Sequence, residues 1–296
     1  MSLNSKPFGS TGAAPSYAAQ QLEKLNQDGY LSLVDAFNHA IAEFAEQPAF
    51  TCLGQTLNYA DMDRLSSQFG CFLLEHCGLQ HGDRIAIQLP NISQYPIAVW
   101  AALRAGLTVV NTNPLYTARE QLHQFNDSGA RALVVLSDLL PVTEQVVSET
   151  AIQTVIVTHA ADLLQPQAVP HSSLDNLIGF TDALALGADK VLPDSTATMS
   201  DIAVLQYTGG TTGPSKGAIL SHGNVYAGMR MSKISIGLSA SDDFDVLIAP
   251  MPLYHVFGFT MNLVGGFVNG SHSVLIPNPR DIDSMVAVMK QHQFTA

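Results

Sequence analysis

From residue 83 the chain settles into a repeating pattern of apolar runs and amphipathic segments. RIAIQL, TVVNT, RALVVLS and TVIVT are separated by YPIAVWAALRA, AREQLHQFN and LPVTEQVVSET. A strand that is apolar at successive positions needs cover on both faces, and helices between such strands supply it while bringing the strands in parallel. The alternation returns after residue 201, where IAVLQYT, AILS, DVLIAP and HSVLIP read as strands. Helices follow Asn224, run through 257–267 and occupy IDSMVAVMKQH. The prediction is an α/β fold with parallel sheets flanked by helices in two successive βα units, 31–158 and 201–296. Residues 159–200 break the rhythm with prolines and scattered polar residues around a modest helical pattern at 174–186, so they read as a segment crossing between the units. Residues 1–30 are polar and rich in small side chains, the composition of a loosely held arm.

Before the first regular stretch, Leu33, Val34, Phe37, Ile41 and Phe44 recur at helical spacing up to Pro48, and AFTCLGQTLNY reads as a hairpin turning at Gly54-Gln55. Asn58 with Asp61, and Thr117 with Glu120, are spaced to cap the helices that follow them. Asn224 is expected to cap the helix after AILS, and Arg280 with Asp281 to begin the last helix. Trp100 lies on an apolar helical face and is expected to be structural.

With 296 residues, 47% of them hydrophobic and 13% charged, the chain can bury a large core. Its net charge of −12, with only 13 basic residues and no cluster of them, argues against a nucleic-acid surface and against electrostatic docking on an anionic bilayer. Peripheral membrane contact through apolar side chains stays open. Cys52, Cys71 and Cys77 are odd in number and lack metal-ligand spacing, so buried free thiols are expected. The N-terminus has neither a signal-peptide nor an anchor pattern, and no apolar stretch is long enough to span a bilayer. Together these features point to a cytoplasmic location.

The stretch YTGGTTGPSKG at 207–217 holds four glycines, three threonines and one lysine. A polyphosphate needs close backbone N–H groups, hydroxyl donors and a cation. Gly209, Gly210, Gly213 and Gly217 permit the approach. Thr208, Thr211 and Thr212 offer hydroxyls to phosphate or, at Thr208, to Mg²⁺, and Lys216 offers its ammonium. The spacing is not that of the common P-loop, because Ser215 precedes Lys216 and Gly217 follows it. The plainer alternative is a solvated surface turn. Tyr207 fits either strand packing or a place beside the ligand.

YTGGTTGPSKGA followed by SHGNV resembles the phosphate-binding signature of the acyl-adenylate-forming enzymes, a family of acyl-CoA synthetases, luciferases and peptide-synthetase adenylation domains. LNYADMDRLSSQFG at 57–70, WAALRAGLTVVNTNPLYTARE at 100–120 and MPLYHVFGF at 251–259 resemble further family segments in the same order. TGGTTG, YTARE and MPLYHVFGF are most similar to bacterial long-chain fatty acid–CoA ligases. The resemblance runs from about Ser32 onward. It implies ATP, Mg²⁺, a fatty acid and CoA as small partners, and a loop that grips the outer phosphates.

The resemblance also implies that His255 lies beside the acyl carboxylate, where it orients or stabilises charge. From its residues alone, a lone histidine among apolar neighbours is as readily a satisfied helix-start residue, and the end of a parallel strand shifts that balance toward function. Phe257 and Gly258 begin a segment that either packs closely at its glycines or leaves a tunnel for an acyl chain. The chain ends at QFTA, read as the start of another strand, so the natural protein is expected to continue. By resemblance the rest would carry a Tyr-Gly-x-Thr-Glu segment, an acidic residue for the ribose and a small C-terminal domain with a catalytic lysine. These residues are then the truncated N-terminal domain of such an enzyme, expected to turn over poorly or not at all alone. The competing readings are an aryl or other acid-adenylating ligase, and a nucleotide- or acyl-binding module without chemistry.

Overall fold

The continuous apolar runs form the middle of a seven-stranded sheet. In the computed structural model, which describes residues 29–208, 214–236 and 244–295 (232–236 by backbone alone), β3 (Arg84–Gln88), β4 (Thr108–Asn111), β5 (Ala132–Leu136) and β6 (Thr154–Thr158) are buried along nearly their whole length. With β7 (Leu177–Gly179), β8 (Ile202–Thr208) and β9 (Lys216–Ser221), the order is β7-β6-β5-β3-β4-β8-β9. Every pair is parallel except β8 and β9, which are joined as an antiparallel hairpin.

A second sheet has four strands in the order β10-β11-β1-β2, with β1 at Pro48–Cys52, β2 at Gln55–Asn58, β10 at Val246–Ala249 and β11 at His272–Leu275. The β1–β2 hairpin turns at Leu53 and Gly54, with φ of 50° and 80°, and Gln55 pairs with Cys52. This moves the turn one residue earlier than the sequence reading, because a two-residue hairpin turn needs left-handed backbone at both central positions. The sheets also do not follow the sequence division. The first unit's β1 pairs with the second unit's β11, and the second unit's β8 and β9 extend the first unit's sheet. Residues 159–200 do more than cross: 177–179 add β7 to the sheet edge ahead of a helix at Phe180–Leu186.

Helices form where caps and apolar faces coincide. They are α1 (Leu33–Phe44), α2 (Tyr59–Glu75), α3 (Gln94–Arg104), α4 (Ala118–Ser128), α5 (Phe180–Leu186), α6 (His222–Ile236) and α7 (Ile282–Gln291). Asn58 with Asp61 and Thr117 with Glu120 form complete capping boxes, and Asp281 caps α7. At α6 the cap is Ser221, whose hydroxyl accepts from the Asn224 N–H while the Asn224 side chain accepts from the Ser221 N–H, so Asn224 closes the box that it was expected to open. The expected helix over LPVTEQVVSET is only a turn at Leu140–Thr143 and 3₁₀ pieces, as β-branched residues compete with so short a helix.

The core joins both sheets. Phe267 stacks on Phe37 at 5.0 Å between ring centres and lies 5.3 Å from Trp100 and 4.4 Å from Tyr59. Cys52, Cys71 and Cys77 are free and buried, as expected. No helix among the described residues is long and apolar enough to cross a membrane.

Candidate functional site

The two sheets point the C-terminal ends of their parallel strands into one cleft. In the larger sheet the strand order reverses at β3, which has β5 on one side and β4 on the other, the place where open parallel sheets collect ligands. A cavity of about 200 Å³ opens there, lined by residues just past β3 (Pro90, Asn91), β4 (Leu115), β10 (Tyr254) and β11 (Asn278, Arg280).

The glycine-rich loop leaves the same end of the sheet. Gly209, Gly210, Thr211, Thr212 and Gly213 lie outside the described residues. Its two ends are defined: Thr208 closes β8 and Lys216 opens β9, directly paired across the hairpin and both exposed. Tyr207 is buried, and its hydroxyl donates to Asp127 Oδ2 at 2.6 Å. Burial first, then the Asp127 carboxylate, raises its phenol well above the usual range. A Cβ on Gly217 would stand 3.0 Å from the Tyr207 ring, so this glycine makes room for Tyr207 across β9. His123 Nε2 lies 2.8 Å from the Ser215 carbonyl and donates to it.

The histidine segment is tied to both sheets by buried amides. The Asn91 side chain donates to the carbonyls of Ala249 at 2.9 Å and Met251 at 2.8 Å and accepts from the Leu253 N–H at 2.8 Å. Tyr95 O–H donates to Asn111 Oδ1 at 2.6 Å and to the Leu253 carbonyl at 3.0 Å, and the Asn111 amide donates to Gln206 Oε1 at 3.0 Å. Gln206 in turn donates to the Tyr254 carbonyl at 3.0 Å. His255 therefore follows a segment clamped to the ends of β3, β4 and β8. It is exposed, and its Nδ1 faces the Phe257 N–H at 3.5 Å, the long limit of a hydrogen bond.

Phe257 is 49% exposed beside it. Gly258 is buried, and a Cβ there would lie 2.4 Å from the Pro252 carbonyl oxygen. The helix expected through 257–267 is a short α-turn at Val256–Gly258 followed by a π-helix at Phe259–Gly266, a form that recurs at functional sites. Sequence reasoning missed Asn91, Tyr95, Asn111 and Gln206. The signal available was a polar amide at the end of an apolar strand, visible in Asn111 and Gln206.

Among the described residues no three His, Cys, Asp or Glu side chains converge to hold a metal. Thr208 offers one hydroxyl. That fits a Mg²⁺ ion that keeps its waters and is held mainly by nucleotide phosphates.

Relatives include the long-chain-fatty-acid–CoA ligases of Salmonella typhimurium, 38% identical over 294 residues, and Yersinia pestis, 39% identical over 296 residues. Each comparison covers 95% of this chain and 52% of the relative, so the chain spans about half the length of the curated relatives it matches. The solved structure of a long-chain-fatty-acid-CoA ligase from Archaeoglobus fulgidus has the same fold, with a TM-score of 0.69 at 26% identity over 84% of this chain and 47% of that one. The model of the AMP-binding enzyme family matches residues 37–296, which takes in both sheets, the hairpin and the histidine segment, and the chain belongs to that family.

Proposed function

We propose that the full-length protein is a long-chain fatty acid–CoA ligase. It converts a carboxylate and ATP to acyl-AMP and pyrophosphate, then transfers the acyl group to the thiol of CoA with release of AMP. The observation that carries this reading is the hydrogen bond from Gln206, two residues before Thr208, to the carbonyl that precedes His255. It ties the phosphate loop and the histidine segment to one end of one sheet.

A carboxylate is a poor acyl donor because oxide would have to leave, and transfer to an α-phosphate makes that oxygen part of AMP. Such chemistry depends on positioning and charge neutralisation. Thr208, Thr211 and Thr212 and the backbone at Gly209, Gly210 and Gly213 meet the outer phosphates, and Lys216 supplies the cation. Mg²⁺, with Thr208 as one ligand, would neutralise phosphate charge. His255 offers a ring N–H to the acyl carboxylate, orienting it for attack on the α-phosphate rather than moving a proton. Phe257 borders the acyl side, and Gly258 keeps the turn beneath His255 tight. A cytoplasmic location accords with this use of ATP and CoA, and contact with a membrane would be peripheral.

The test is acid-dependent exchange of labelled pyrophosphate into ATP by the full-length protein across fatty, aryl and amino acids. Exchange with long-chain fatty acids is expected. Exchange confined to aryl or amino acids would replace the substrate class, and ATP binding without exchange would leave a non-catalytic binding module.

A further inference from the structure

One face of α4 serves both ends of the glycine-rich loop. His123 and Asp127 stand one turn apart, the spacing that puts two side chains together on a helix surface. Asp127 receives the Tyr207 hydroxyl at 2.6 Å, and His123 donates to the Ser215 carbonyl at 2.8 Å. Tyr207 directly precedes Thr208 and Ser215 directly precedes Lys216, the pair that faces across β8 and β9. The ends of the loop are thus pinned one residue away from the two side chains that reach for phosphate.

The helix does not depend on these contacts for its own place. It has its capping box at Thr117 and Glu120, stops at Gly129 in the left-handed region, and buries Gln121, Gln124 and Phe125. The Gln124 amide donates to the Asn111 carbonyl at 2.9 Å, and Gln121 accepts from Thr143 at 3.2 Å. An anchored helix is a fixed support, and the hairpin is what it fixes. A carboxylate so near a phosphate loop is electrostatically unfavourable, which argues that Asp127 serves geometry. Gly217 completes the arrangement by leaving the Tyr207 ring room to cross β9.

We infer that His123 and Asp127 are positioning residues for nucleotide binding, acting through Ser215 and Tyr207 to set how Thr208 and Lys216 meet the phosphates. The inference rests on the proposed function only in taking the loop to bind a nucleotide.

The experiment measures ATP affinity of the full-length protein by titration calorimetry, alongside KM for ATP and for the fatty acid. Asp127→Ala and Tyr207→Phe are each expected to weaken ATP binding roughly tenfold, and the double variant no further, since both remove one charge-assisted bond. His123→Ala should weaken ATP binding to a similar degree, with partial recovery in His123→Gln, whose amide can donate to the same carbonyl. KM for the acid stays unchanged. Unaltered ATP affinity in Asp127→Ala and His123→Ala, or an equal loss toward ATP and acid in variants that still melt cooperatively, overturns the inference. ATP binding that weakens in the variants while the parent shows no acid-dependent exchange overturns the ligase reading and supports the positioning role.

Discussion

A methyl group added at Gly258 would lie 2.4 Å from the Pro252 carbonyl oxygen and 3.1 Å from that of Met251. Both are backbone atoms in the segment that carries His255, and Asn91 holds that segment in place. Gly258→Ala is therefore expected to destabilise the chain by about 2 kcal/mol or more, read from urea unfolding, because neither carbonyl can rotate away as a side chain would. An unchanged midpoint would show that the turn has slack. Lys216 lies at the other extreme. It is exposed at the start of β9, so Lys216→Ala should leave stability within about 0.5 kcal/mol while lowering kcat/KM for ATP by roughly tenfold to a hundredfold in the full-length protein. Equal efficiency with and without the lysine would remove it from the site. Thr208 and Lys216 could be proposed from sequence because glycine and hydroxyl density is what a phosphate loop would need. Gly217 and Tyr207 share that string, but their contacts are with each other and with Asp127, 80 residues before Tyr207.

Helices with local signatures came out of the sequence well, and those governed by distant contacts did not. The boxes at Asn58 and Thr117 are contained within four consecutive residues, so α2 and α4 begin where expected. The π-helix at Phe259–Gly266 carries the same apolar signature as an α-helix, and its register follows from packing. The strand at 177–179 is too short to announce itself and exists because β6 offers it an edge. The connection between β3 and α3 is the clearest case of the distant kind. Asn91 lies in it, and the three partners of its side chain are 158 to 162 residues away. Asn91→Ala would leave the buried Leu253 N–H without its partner and the Ala249 carbonyl with only the Ile276 N–H, at an expected cost of about 1–3 kcal/mol. In the full-length protein it should also lower kcat for exchange by roughly tenfold or more, since His255 follows the released segment. Loss of stability with full exchange activity per folded molecule would separate the clamp from the site.

The interleaving of the sheets puts early and late parts of the chain into one core. β1 and β2 reach the second sheet across almost the whole chain, and α1 is joined to α6 through His222, whose Nδ1 accepts the Leu33 N–H at 3.2 Å. His272 on β11 makes the matching link to β1, with Nε2 2.7 Å from Thr51 Oγ1. Each is buried, with exposures of 2% and 7%. Burial lowers the His222 imidazole to about 4 against the attraction of Asp201 and with the repulsion of His81, and burial followed by His292 lowers His272 to about 4. The sign follows from proton counting. Between the unfolded value near 6.5 and the folded value near 4, the unfolded chain binds a proton at each histidine that the native chain refuses, so stability falls as pH falls. Above pH 6.5 both states are neutral there and the contribution is flat. Across the window the loss is on the order of 3 kcal/mol for each histidine. Glu120, Glu144 and Asp201 are held below the usual carboxylate range by hydrogen bonds to Thr117, Ser172 and Thr198, and their contribution is lost only at more acidic pH. The two classes therefore separate experimentally. Urea midpoints of the chain should hold between pH 8 and 7 and fall between roughly 6.5 and 5. His222→Gln, whose amide oxygen can still accept from Leu33, should remove about half of that fall, and His272→Gln most of the remainder. A parent midpoint that stays level down to pH 5 would mean that both histidines gain protons in place and that neither junction depends on a neutral ring.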